Sequence, residues 1–234
     1  MNEAQLINVM CEYFTNEILE KHQANLLKKH SRLSEYQINP ILVKYLSQLV
    51  ENGITAEGIA KALFYPRALG TSITGAFGSK FQKMLVDLGL VSGSLIPGMD
   101  IEYIDKIDNR RKYCQLKSGP NTINSKDVNP MLQEFDTVAN LARTNNFRNF
   151  SNNDLVVGII YGVPAQLSGH YLKINQRYPV FIGPEFWHRI TGYNSFYANL
   201  VTAIDLLIQD MPGSNAFQEA YQKLLSEIID ADII

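Results

Sequence analysis

Two short stretches, Asp100-Ile-Glu-Tyr-Ile-Asp105 and Lys112-Tyr-Cys-Gln-Leu-Lys117, alternate polar and apolar residues and flank the turn formers Lys106-Ile-Asp-Asn-Arg110. Alternation of period two sends successive side chains to opposite faces of a strand. The pair therefore predicts a β-hairpin with one face for a core and one for solvent or a ligand. A turn centred on Asp108-Asn109, residue types that tolerate positive φ, sets Asp100 opposite Lys117, Glu102 opposite Gln115 and Tyr103 opposite Cys114. One face then carries Ile101, Tyr103, Cys114 and Leu116. The other gathers Asp100, Glu102, Gln115 and Lys117, and a register slip of one residue would exchange the two.

The flanking sequence predicts what this hairpin packs against. Leu6, Ile7, Met10, Phe14 and Ile18 recur at helical spacing. Pro40 fits the first turn of a second helix that Asn52-Gly53 stops. Thr55 caps a third, which ends before Pro66. A fourth starts at Thr71 or Ser72 and stops at Gly89, with Gly75 and Gly78 suggesting close backbone approach or tight helix packing. After the hairpin, Asp127 caps a helix carrying Met131, Phe135, Val138 and Ala142. Leu155 to Tyr161 reads as a buried strand, Tyr178 to Ile182 as another, and Pro184 opens a further helix. The order helix, hairpin, helix, strand, strand, helices predicts an α/β fold with a mixed sheet. Residues 1–70 are expected to form a helical region with apolar surface for dimerisation, 71–205 the core that carries the hairpin, and 206–234 C-terminal helices.

The polar face of the hairpin has a chemical reading. Phosphodiester hydrolysis needs a hard cation beside the phosphate, and Mg²⁺ takes carboxylate, carbonyl and water oxygens. Asp100 and Glu102 offer carboxylates, Gln115 an amide oxygen, and Leu116 its carbonyl. Lys117 would hold the attacking water and stabilise growing negative charge. A solvated strand face with cross-strand ion pairs is the plainer alternative.

Composition narrows the partners. A net charge of -2 over 234 residues argues against a nonspecific polyanion binder but not against local basic patches. Lys28, Lys29, His30 and Arg32 crowd one stretch, and Arg110, Arg111 and Lys112 another. The two cysteines form no disulfide framework or metal knuckle, and the four histidines show no ligand spacing. With no leader-like start and no apolar run long enough to span a bilayer, the expectation is a cytoplasmic protein without membrane partners.

The run Pro97-Gly-Met-Asp100, followed by Gln115-Leu-Lys117 on the next strand, resembles the PD-(D/E)xK nuclease motif. Cys114-Gln-Leu-Lys-Ser-Gly-Pro-Asn-Thr-Ile-Asn124 and Gly183-Pro-Glu-Phe-Trp-His-Arg-Ile-Thr-Gly192, with Phe196-Tyr197 after it, are similar to type II restriction endonucleases that cut sites of the GGNCC kind. The resemblance spans residues 70–205. It implies a restriction-endonuclease-like mixed sheet flanked by helices, Mg²⁺ as cofactor and double-stranded DNA as substrate. It also implies a homodimer matched to a palindromic site, and a DNA methyltransferase in the same system without a stable complex. Asp100 would be the metal-binding acid and Lys117 the catalytic lysine. Gln115 departs from the pattern, which has Asp or Glu there, and Glu102 on the facing strand is expected to supply the missing charge. Two other classes stay open: a repair or recombination nuclease of the same fold that reads DNA shape, and a non-catalytic DNA-binding protein with a degenerate core.

Candidate DNA contacts lie in two segments. The loop from Ser118 to Asn124 leaves the strand directly after Lys117, so Ser118, Asn121, Thr122 and Asn124 fall near the scissile phosphate, with turn chemistry as the alternative. Between the two later strands, Lys173, Asn175 and Arg177 alternate. If that segment is extended they point one way and offer major-groove donors and acceptors, although phosphate contact would use the same groups.

Overall fold

The computed structural model describes residues 1–147, 149–211 and 214–232. The chain divides into two compact units, one of Met1–Met10 with Phe81–Ile208 and one of Cys11–Lys80 with Gln209–Ile234. The last helix, Ala216–Asp230, thus falls in the same unit as residues 11–80.

The helical unit starts within α1 (Glu3–Tyr13), which runs through a π-helical stretch into α2 (Glu20–Asn25) and on to His30. Helix α3 (Pro40–Glu51) is capped by Asn39, whose side chain accepts from Ile41 N and Leu42 N, and ends at Asn52 in the left-handed region. Thr55 caps α4 (Ala56–Pro66) as its sequence predicts. The expected break at Pro66 is absent. Its residues stay helical through a π stretch, Arg67–Thr71, into α5 (Ser72–Asp87), so neither Thr71 nor Ser72 acts as a cap. Pro66 is the last residue of α4, where the α pattern gives way to the π stretch. A Cβ built on Gly75 meets no atom within 4 Å, so tight packing against another helix of this chain is not its reason. Later in this unit, α10 (Ala216–Asp230) buries Ala220, Tyr221, Leu224 and Ile228 with Leu26, Val43, Ile59 and Phe64.

The other unit is built on a five-stranded sheet in the order β1 (Ser92–Gly93), β2 (Ile101–Ile104), β3 (Arg111–Lys117), β4 (Leu155–Ile159), β5 (Val180–Ile182). The first three strands are antiparallel neighbours, and β3-β4-β5 run parallel. The mixed α/β fold expected from the sequence is what forms. Parallel neighbours need crossovers, and these are α6 (Ser125–Thr144) and α7 (Gly169–Asn175). Successive right-handed crossovers in one direction put both helices on one face, and one core joins them. Met131, Phe135 and Val138 of α6 meet Tyr171 and Ile174 of α7, with Leu155, Val157, Ile159, Val180 and Ile182 beneath. Helix α8 (Pro184–Thr191) serves the opposite face. Its Phe186 ring stands 6.4 Å from that of Tyr103, and Trp187 Nε1 donates to the Ile160 carbonyl at 2.8 Å. Helix α9 (Phe196–Gln209) follows and adds Phe196, whose ring is 5.4 Å from Trp187. Among the described residues, no helix is long and apolar enough to cross a membrane.

Candidate active site

The hairpin forms, with its pairing moved by two residues. Ile101 pairs with Cys114, Glu102 with Tyr113 and Tyr103 with Lys112. The expected pairs Glu102–Gln115 and Tyr103–Cys114 are therefore corrected, and Asp100, expected opposite Lys117, lies just before the paired residues. The cause is the connection: Asp105 and Arg110 close a loop in which Asn109 takes φ 56° and Asp105 Oδ1 accepts from Ile107 N. Asp105 is fully buried and is held by Arg189 of α8 at 2.8 Å. A shift of two leaves the faces unchanged. Ile101, Tyr103 and Cys114 are buried on the α8 side, where burial pushes the Cys114 thiol far up, and Gln115 and Lys117 lie on the α6 side.

Asp100 is fixed from both directions. Its backbone N–H donates to the Cys114 carbonyl at 2.9 Å, and its Oδ2 accepts from Leu116 N at 2.7 Å. Lys117 Nζ stands 3.9 Å from the same Oδ2, and both side chains are part-exposed. Gln115 is buried, and its Nε2 donates at 2.6 Å to Oε2 of Glu134, a residue of α6. Glu134 was not legible as a candidate. It lies three residues after Met131 and four before Val138, at the edge of the apolar stripe that seats α6 on the sheet. That spacing is the one signal the sequence holds for it.

Glu102 is occupied elsewhere. With Tyr113 as its partner, it binds Arg111 at 3.1 Å and accepts from Ser94 Oγ at 2.9 Å. The basic run Arg110 to Lys112 is also bound to acids. Arg110 pairs with Asp154, Arg111 with Glu102, and Lys112 is buried between Asp108 and Asp154. Burial pushes the Asp154 carboxyl up, but hydrogen bonds from Arg110 and Ser151 N outweigh it and hold the group below its usual range.

The recognition segments divide. Ser118, Asn121 and Thr122 follow β3, whose last carbonyl, on Lys117, accepts from Ile160 N at 3.0 Å. Asn121 is exposed, and the Thr122 hydroxyl lies 2.8 Å from that of Tyr171. Asn124, not Asp127, caps α6. Its side chain accepts from Lys126 N, while Asp127 accepts from Asn124 N. The segment holding Lys173 and Asn175 is helical, which corrects the extended reading. Residues two apart on a helix point in widely different directions. Asn175 Oδ1 accepts from Val180 N, Arg177 pairs with Asp136 at 2.6 Å, and Lys173 stays exposed. The buried residues Tyr171 and Ile174 on that helix show why it forms: the core takes a three-residue spacing there.

The Asp100 carboxylate with Lys117 beside it is a pairing suited to a hard cation and an anionic substrate. Among the described residues, no three His, Cys, Asp or Glu side chains gather closely enough to hold a metal by themselves. No curated protein matches the chain. The family model described as "Type II restriction endonuclease EcoO109I" matches residues 12–210, a span that holds Asp100, Gln115, Lys117 and every strand of the sheet. With most of its length matched, and with an α/β mixed-sheet core of the expected kind, the chain belongs to the family of the type II restriction endonuclease EcoO109I.

Proposed function

We propose that the protein is a Mg²⁺-dependent endonuclease that cuts double-stranded DNA at a palindromic site of the GGNCC kind, acting in the cytoplasm as a homodimer. The observation that carries this reading is the Asp100 carboxylate, anchored on Leu116 N at 2.7 Å with Lys117 Nζ 3.9 Å away, at the end of a central strand. The donor chemistry fits Mg²⁺, which binds through one or two carboxylates plus substrate phosphate and water rather than an all-protein cage. Asp100, the Gln115 amide oxygen and the Leu116 carbonyl would hold it. When bound, the ion supplies charge neutralisation at the phosphate and a more acidic water. Lys117 would orient the attacking water and offer its ammonium to the negative charge that develops on the phosphate oxygens. The Leu116 N–H keeps one Asp100 oxygen fixed, which leaves the second free to face the substrate side.

Ser118 and Asn121 are assigned to DNA contact because they leave the strand next to Lys117, and Lys173 because it is exposed and basic. Thr122, Asn124, Asn175 and Arg177 have their side chains engaged within the protein and are not assigned to base readout. A two-fold DNA site calls for a two-fold protein. Helix α3 carries an exposed apolar stripe of Ile41, Tyr45 and Leu49, flanked by exposed Leu42, Leu46 and Val50, which suits a second copy of the same helix.

The test is incubation with plasmid DNA and Mg²⁺, followed by sequencing of the fragment ends. Discrete ends within one short palindrome support the reading. Nicks that follow DNA structure rather than sequence, or DNA binding without cleavage, refute it.

A further inference from the structure

We infer that Glu134 supplies the carboxylate that position 115 lacks, so that the cation is held between Asp100 on the sheet and Glu134 on α6, with the Gln115 amide joining them. This inference rests on the proposed Mg²⁺ site and names its second acid. Gln115 occupies the strand position, two before Lys117, where the family pattern places an acid. Its Nε2 donates to Glu134 Oε2 at 2.6 Å, so a carboxylate stands one hydrogen bond from the place where an acid at 115 would put its own.

The contact also sets the amide's orientation. A carboxylate repels the amide oxygen and attracts the amide N–H. The nitrogen therefore faces Glu134 and the oxygen is turned away from it. Gln115 is only 3% exposed, and its oxygen accepts no hydrogen bond from the described residues. Turned away from Glu134, that oxygen is available as a ligand to a hard cation. Glu134 itself remains exposed, so its carboxylate is open to an ion arriving with the substrate.

The loop that delivers Asp100 holds Glu134 in place. A Cβ built on Gly98 would stand 3.0 Å from Glu134 Cδ and 3.1 Å from its Cβ and Cγ. At φ 82° this position favours glycine, and the bare backbone lies along the Glu134 side chain. Glu134 is thus held between the segment carrying Asp100 and the strand carrying Lys117. Glu102, the acid expected from the hairpin alone, is bound to Arg111 and Ser94 instead. Two carboxylates neutralise a divalent ion, whereas Asp100 alone would leave it half compensated.

Metal binding can be read without cleavage by titrating the protein with Mn²⁺ and measuring free Mn²⁺ by electron paramagnetic resonance. Glu134→Gln and Glu134→Ala should each weaken Mn²⁺ binding by at least about tenfold, since even residues behind a metal's direct ligands cost about 10–100-fold. Glu102→Gln should leave it within about twofold, a difference of a few tenths of a kcal/mol. Gln115→Glu added to Glu134→Gln should restore binding, because it moves the carboxylate across a single hydrogen bond. Mn²⁺ binding that needs Asp100 but is unchanged by both Glu134 variants overturns the role of Glu134 alone. So does a loss with Glu102→Gln equal to that with Glu134→Gln. Binding unaffected by Asp100→Asn refutes the parent site and this inference together.

Discussion

Replacing Lys117 by alanine separates chemistry from folding. Its ammonium stands 3.9 Å from Asp100 Oδ2, with side-chain exposures of 27% and 38%. A pair that open to water contributes about 0–1 kcal/mol to stability. For a chain of this size, 1 kcal/mol moves the melting temperature by about 2–4 °C, so Lys117→Ala should melt no more than about 4 °C below wild type. At the reacting phosphate the same group has a different weight. Removing one positioned electrostatic donor costs about 2.7–4 kcal/mol of activation free energy, or about 100- to 1000-fold in rate. The assay is single-turnover cleavage of supercoiled plasmid in Mg²⁺, with calorimetry of both proteins and duplex binding in Ca²⁺. The expected result is a rate loss of at least about 100-fold with binding and melting nearly unchanged. A variant that cuts at close to wild-type speed refutes the placement of Lys117. A loss of rate that tracks a large drop in melting temperature refutes the claim that Lys117 is a chemical rather than a structural residue.

Three further predictions concern the scaffold that holds this site. Asp154→Ala leaves the buried Lys112 without one of its two acids and Arg110 without its partner, and should cost about 3–5 kcal/mol in urea denaturation; a loss below about 1 kcal/mol would mean that the cluster behaves like a surface pair. Hydrogen bonds from Tyr178 and then Arg177 hold Asp136 below its usual range. A depressed folded pKa gives stability that is present above the unfolded value of about 3.9 and lost as pH falls through the folded one, so Asp136→Asn should be less stable than wild type near neutrality and converge with it in acid, and parallel melting curves at all pH values would contradict this. Gly158→Ala places a Cβ 2.5 Å from Phe186 Cε2 and 2.9 Å from Cys114 Sγ. It should destabilise by about 1–3 kcal/mol, with partial recovery on adding Phe186→Leu, and no recovery would locate the strain elsewhere.

Strand periodicity carried the site reading further than the pairing on which it was based. Which face Asp100, Gln115 and Lys117 share depends only on parity, and a shift of two residues preserves parity. The register itself depends on the loop, and the loop depends on Asp105 meeting Arg189 of α8, a contact 84 residues away that no local pattern contains. Charge pairing shows the same dependence on distance: Arg110 to Lys112 is a basic run along the sequence, and its partners Asp154 and Glu102 arrive from other segments. The helix through Lys173 had a local signal, since Tyr171 and Ile174 are spaced for a helix and both are buried, but alternating polar residues masked it. Glu134 had least of all. Its position beside the apolar stripe of α6 fixes only the helix edge on which it lies, and that edge acquires chemistry only once the crossover places α6 over β3. A residue that acts from a strand can be found by its period along that strand. A residue that acts from a crossover helix can be found only after the sheet is assembled, which is why the site read from the hairpin alone placed its second acid at Glu102.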